Sequence, residues 1–220
     1  MLIKDWMTKD PVVAKTGTSI MKAAKLMKEN KIRRLPVVDD DGRLVGMISD
    51  RDIKEASPSK ATTLDMHELY YLLSEIKVAD IMTKKPLAIT PDEPVERAAV
   101  IMMRNRIGGL PVVDAESKVV GIITDSDVFK VLISITGVLT GGVQMAFSLP
   151  NAEGGLKNVL DDLKAQDCRI MSILTSYPPA EQDKRHVYIR IQDLEDAPLQ
   201  RLVDMLKGKY ELLYWSRDNA

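Results

Sequence analysis

Cysteine occurs once in the 220 residues, as Cys168, and histidine twice, as His67 and His186. One thiol rules out an intrachain disulfide, and two distant histidines offer no metal-ligand spacing. Charge of one sign is equally scarce in excess: 31 basic against 32 acidic side chains leave a formal net charge of −1. Such a balance exerts no global pull on nucleic acid or anionic membrane. Basic residues such as Lys157, Lys164, Arg169, Lys184 and Arg185 lie among acids without interleaved aromatics, so no nucleic-acid face is read. The least polar run, "VLISITGVLTGGV", is about a dozen residues with three glycines, whereas a spanning helix needs roughly 20 apolar residues. The charged start "MLIKDWMTKD" does not read as a secretory signal. A soluble, cytoplasmic protein is the expectation, with no membrane partner. No acid, nucleophile and base constellation appears, so the expectation is also of a non-enzyme.

What is present is a repetition. "LPVVDDDGRLVGMISDRDI" from Leu35 recurs as "LPVVDAESKVVGIITDSDV" from Leu110, a shift of 75 positions. At the same shift Asp5, Met7, Thr8 and Pro11 fall on Asp80, Met82, Thr83 and Pro86, and Ala23, Ala24 and Met27 fall on Ala98, Ala99 and Met102. Two copies argue for a paired, pseudo-symmetric module rather than a solenoid. In each copy apolar residues recur at helical spacing: Ile20, Ala23, Ala24, Met27, then Val95, Ala98, Ala99, Met102. Thr18 or Ser19 suits the cap of the first helix, and Asp92 with Pro94 the start of the second. An apolar strand follows, then a turn and a second strand. "DDGR" has good turn chemistry through Gly42, while "AESK" lacks glycine and predicts a looser turn. Asp50 and Asp125 read as caps of the next helix. Each copy is therefore β-α-β-β-α.

The spacing of Gly46, Ser49 and Asp52, repeated at Gly121, Thr124 and Asp127, sets a hydroxyl at a strand end and a carboxylate in the first helical turn. Helix-start N–H groups favour a phosphate there, an aspartate can accept both ribose hydroxyls, and glycine permits close approach. Plain capping is the competing reading of the same residues.

"IRRLPVVDDDGRLVGMISDRDI" and "IGGLPVVDAESKVVGIITDSDV" resemble two cystathionine β-synthase (CBS) domains, over residues 1–56 and 76–135. The resemblance implies a cleft for an adenosine-containing ligand, AMP, ADP or ATP first, acting as a regulatory ligand and not as a catalytic cofactor. It also implies that the carboxylate of one copy faces an adenine slot built from the other. Ser49 and Asp52 would then work with Met82, Leu87 and Ile107, and Thr124 and Asp127 with Met7, Val12 and Ile32. In the family the residues before "LPV" often reach phosphates. Arg33 and Arg34 suit that role, whereas Gly108 and Gly109 do not, so the Ser49–Asp52 site is expected to be preferred. Solvated surface arginines are the alternative.

Residues 57–75 read as a linker whose Leu69, Leu72, Leu73 and Ile76 continue at helical spacing, with His67 a packing or dimer-contact residue. Residues 136–142 are a glycine-rich joint. Residues 143–216 then run β-α-β-β-α-β, the ferredoxin-like order, so the whole chain is α/β of the α+β kind. That segment resembles an ACT domain, a small-molecule-binding regulatory module that usually pairs with a second copy. The family's Asp-x-Pro-Gly turn is replaced by "LPNAEGGL", which leaves Asn151, Gly154 and Gly155 as candidate effector contacts and dimerisation as the competing role. CBS pair followed by ACT domain is similar to the acetoin-utilisation protein B family. A homodimer through either module, an unidentified regulated protein and a place in acetoin or central carbon metabolism are what that implies. A dimerisation adaptor with silent sites and a sensor of S-adenosylmethionine, NAD or a cyclic dinucleotide are the competing functions.

Overall fold

Three of the four residues in each predicted helical stripe are buried, and the fourth, Ala24 or Ala99, is half-buried. Ile20, Ala23 and Met27 of α1 (Ile20–Glu29) and Val95, Ala98 and Met102 of α4 (Val95–Asn105) are all under 7% exposed, and the alanines let each helix lie close on its sheet. These elements belong to a computed structural model that describes residues 1–57, 71, 73–181 and 183–218. Contacts divide the chain into two compact units, Met1–Phe129 and Lys130–Ala220.

The first unit holds two small sheets. One has the order β2 (Ala14–Lys15), β3 (Arg34–Val38), β4 (Leu44–Ser49), β5 (Thr83–Lys84); the other has β1 (Thr8–Lys9), β7 (Val119–Thr124), β6 (Gly109–Val113). The copies exchange their leading segments. β1 opens the first copy yet pairs with β7 of the second, and β5 lies near the start of the second yet pairs with β4 of the first. Backbone bonds extend the exchange symmetrically: Ile3 N–H donates to Glu93 O at 2.9 Å, as Val78 N–H does to Thr18 O at 2.8 Å. The short helix α3 (Val78–Ile81) lies in this exchanged segment.

Ser19 caps α1, accepting from Lys22 N–H at 3.3 Å; Pro94 precedes α4 without a side-chain cap. The two hairpin turns are alike, contrary to the looser second turn expected. Asp39 Oδ1 accepts from Asp41 and Arg43 N–H, and Asp114 Oδ1 accepts from Glu116 and Lys118 N–H, all at 2.8–3.0 Å. Ser117 (φ +64°) takes the left-handed place that Gly42 (φ +81°) takes in the first turn. The aspartate, which sequence comparison shows in both copies, fixes the turn more than the glycine does. Most of the predicted linker helix, with Leu69, Leu72 and His67, lies outside the described residues. Leu73 and Ile76 pack on the first copy's core.

The second unit contains β8 (Gly142–Pro150), α6 (Gly155–Ala165), β9 (Ile170–Ser176), β10 (Lys184–Ile191), α7 (Asp196–Lys209) and β11 (Glu211–Asp218). Its sheet order, β11-β8-β10-β9 with every pair antiparallel, is the ferredoxin-like arrangement. Val143, Met145, Phe147 and Leu149 of β8 alternate onto the helices, meeting Val159, Leu163, Leu199, Val203 and Leu206.

Thr136, the last residue of α5 (Asp125–Thr136) and the first of the expected glycine-rich joint, is held by the C-terminal sheet. Its carbonyl accepts from Arg190 Nε at 2.8 Å and from Ser172 Oγ at 2.9 Å. Gly142 (φ +103°) is obligatory, because a Cβ there would overlap the carbonyl oxygen of Ile191.

Tyr210 gives a pH marker for this unit. Its hydroxyl donates to Asp162 Oδ2 at 2.6 Å, and partial burial together with that carboxylate pushes the phenol up to about 12. The raised value favours the folded state below the ordinary tyrosine range near pH 10, and that contribution is lost as pH rises from 10 through 12. In an ultraviolet titration one tyrosine should ionise last, and Tyr210→Phe should remove that late step.

Candidate nucleotide site

Each copy ends its hairpin in a strand that runs straight into a helix, and the two candidate residues sit across that junction. In the first copy Ser49 is the cap of α2 (Asp50–Ala56). Its N–H and its hydroxyl both donate to Asp52 Oδ2 at 2.7 Å, and its Oγ accepts from Asp52 N–H at 3.2 Å. In the second copy Thr124 N–H and Oγ1–H donate to Asp127 Oδ2 at 3.0 and 2.7 Å.

The capping roles are thus the reverse of those expected. Asp50 and Asp125 are the first helical residues, not caps; Asp52 closes a capping box with Ser49, and Asp127 accepts from Thr124 N–H. Asp50 instead takes Lys54 Nζ at 2.9 Å; that ammonium, aided by Arg33, holds the Asp50 carboxyl below its usual range. Capping does not exhaust the carboxylate. Both bonds to Asp52 fall on Oδ2, and among the described residues Oδ1 receives none. Asp127 is 5% exposed, an unusual depth for a carboxylate.

The glycines have a reason the sequence did not show. A Cβ on Gly46 would overlap Met82 Sδ, and one on Gly121 would overlap Met7 Sδ. Their missing side chains admit a methionine from the other copy's leading segment, so close approach here is first to protein. Met82 is consequently placed on the strand that ends at Ser49, and Met7 on the strand that ends at Thr124. The remaining candidates for the adenine slot are spread out. Val12 and Ile32 pack on the first copy's own core, Leu87 is half exposed, and Ile107 is half-buried, its N–H bonded to Met102 O at 3.0 Å.

The two arginines part company. Arg33 is exposed and near Asp50, whose N–H donates to Arg33 O at 2.9 Å. Arg34 is opposite Ser49 in the β3–β4 register, yet its side chain crosses to the second copy. Its guanidinium occupies the space where a Cβ on Gly108 would stand, beside Asp125 Oδ2, and its Cδ lies against Gly109. The "GG" of the second copy is the room that one arginine of the first copy needs. Asn151 and Gly154 lie on the loop after β8, and Gly155 is the first residue of α6. Asn151 N–H donates to Asp183 O at 2.6 Å, and Gly154 opens onto unfilled space.

The CBS domain model matches residues 3–59 and 78–134, more than half of the chain. The chain belongs to the CBS-domain family. The CBS pair of protein MJ0100, solved in complex with 5′-methylthioadenosine and S-adenosyl-L-methionine, is 35% identical; the match covers 60% of this chain and 95% of that one, with a TM-score of 0.51. CBSX2 of Arabidopsis thaliana, solved with AMP, is also 35% identical, covering 61% and 98%, at 0.51. A protein described as a putative acetoin utilization protein (AcuB) from Vibrio cholerae is 28% identical, covering 64% and 96%, at 0.52. The chain spans about a quarter of the length of the curated enzymes it matches. Among the described residues no helix is long and apolar enough to cross a membrane, and no cluster of potential metal ligands occurs.

Proposed function

We propose that this CBS-pair protein is a non-enzymatic regulator that senses an adenosine-containing ligand, AMP, ADP or ATP before others, in the cleft between its two copies. The duplicated pair of hydroxyl and aspartate, Ser49–Asp52 and Thr124–Asp127, carries the reading. Each pair presents a carboxylate at the start of a helix, where backbone N–H groups and the helix dipole favour a phosphate. Each stands on a strand that also holds a methionine from the other copy. The adenosine compounds bound by the CBSX2 and MJ0100 pairs support the same ligand class. S-adenosylmethionine is the first competitor to AMP on that evidence.

In this reading Arg33 serves the first site and Arg34 the second, rather than both converging on Ser49 and Asp52. The CBS copies are residues 1–56 and 76–135. The ferredoxin-like segment 143–216 acts as an ACT-type module that transmits the ligand signal through a homodimer to a regulated protein. The likeness to the AcuB structure supports acetoin or central carbon metabolism as the setting. Coupling of this kind is typically about 1–3 kcal/mol and reciprocal, so a partner selecting the bound form must also tighten ligand binding.

Isothermal calorimetry of the chain against AMP, ADP, ATP and S-adenosylmethionine tests the proposal. Micromolar to sub-millimolar binding of at least one compound, lost in the Asp52→Ala, Asp127→Ala double variant, is the expected result. Absence of binding by all four at millimolar concentration would leave the dimerisation adaptor as the better account.

A further inference from the structure

At the Gly142 end of the C-terminal sheet, wholly within Lys130–Ala220, lies an open cavity of about 690 Å³. Its size falls in the range of small-molecule sites. Ser134 from the last turn of α5, Thr140, Arg169, Met171, Gln192 and Asp193 line it. It is remote in sequence from Ser49, Asp52, Thr124 and Asp127, and it is at the opposite end of β8 from Asn151, Gly154 and Gly155.

The hydrogen-bonding capacity facing this cavity is unspent on one side only. Among the described residues the Arg169 guanidinium makes no ion pair and no hydrogen bond, and the same holds for the Ser134 hydroxyl and the Gln192 side-chain amide. Asp193, the carboxylate in the wall, is already engaged: it lies 3.0 Å from Arg217 Nε and accepts from Leu194 N–H at 2.9 Å. The cavity therefore offers a free fork of donors, a hydroxyl and an amide, with Met171 as an apolar wall beside them. A guanidinium grips a carboxylate through two parallel bonds, and the apolar wall calls for a carbon body behind the charged group.

We propose that this cavity is a second ligand site, for a small organic carboxylate, anchored by Arg169. The anchor stands at the entry of β9, and the wall includes the helix turn that ends at Thr136. The occupant would thus touch both the sheet and the joint.

The test uses the full chain and three probes, lactate, succinate and citrate, with inorganic phosphate as a fourth. Calorimetry should show at least one of the carboxylates binding at one molecule per chain. Arg169→Ala should weaken that binding about ten-fold, the effect of losing charge-assisted bonds at an exposed site. Arg169→Lys should recover part of it, and Asp52→Ala and Asp127→Ala should leave it unchanged. Failure of all three carboxylates to bind at tens of millimolar overturns the site. So does binding that Arg169→Ala leaves intact, and binding of phosphate without any carboxylate overturns the ligand class. None of these outcomes depends on whether an adenosine compound binds the CBS pair.

Discussion

Asp127→Ala should weaken binding of a phosphorylated adenosine ligand by about 10- to 100-fold, the range that loss of hydrogen bonds to a charged acceptor spans. The carboxylate is buried and receives both donors of Thr124, so the variant also loses the bonds that tie Thr124 to the first turn of α5. That structural loss should cost about 0.5–2 kcal/mol of stability, readable separately as a lowered melting temperature in the absence of ligand. Arg34 is the partner to test with it. Because its guanidinium lies over Gly108 and beside Asp125, Arg34→Ala should be non-additive with Asp127→Ala and additive with Asp52→Ala. Gly108→Ala offers a version that keeps the charge: its new methyl would displace the guanidinium and should reproduce most of the Arg34→Ala effect. Additivity with Asp127 and coupling with Asp52 would return the arginine to the first site.

A larger effect on stability is expected at Arg190→Met. The guanidinium is 3% exposed, pairs with Asp218, and donates to Gln144 Oε1 and to Thr136 O. Breaking a buried pair by removing one member typically costs about 3–5 kcal/mol. Asp218 is partly exposed and can be rehydrated, and Thr136 O keeps the Ser172 hydroxyl, so about 2–3 kcal/mol is the expected loss. At a few degrees per kcal/mol, that is a fall of roughly 5–10 °C in the melting temperature. Urea unfolding followed by the fluorescence of Trp215, on β11 in the same unit, would read it. A change under about 1 kcal/mol would mean that the cost of dehydrating the guanidinium offsets its bonds.

The sequence by itself determined the parts that depend on neighbours along the chain. The stripes of α1 and α4, the two hairpins, the alternation of Val143, Met145, Phe147 and Leu149 and the β-α-β-β-α-β order were all legible. Each is fixed by a period of two or 3.6 residues and by local capping or turn chemistry. The pairing of Ser49 with Asp52 and of Thr124 with Asp127 was nearly as legible, since three residues across a strand–helix junction bring both side chains together whatever surrounds them.

Only the tertiary structure decided which copy each piece serves. Met7 and Met82 fill the hollows at Gly121 and Gly46 because the leading segments cross over, and nothing local to "MT" or to the glycines encodes a partner so distant in sequence. Arg33 and Arg34 are adjacent in the chain, yet Arg33 stands on the bend before β3 and only Arg34 belongs to the strand. Their divergence toward Asp50 and toward Gly108 follows from that change of backbone and from the space the second copy leaves. The cavity beside Arg169 was illegible for the same reason. Its walls come from a helix end, a joint and two strands, brought together by packing that no single stretch of sequence specifies.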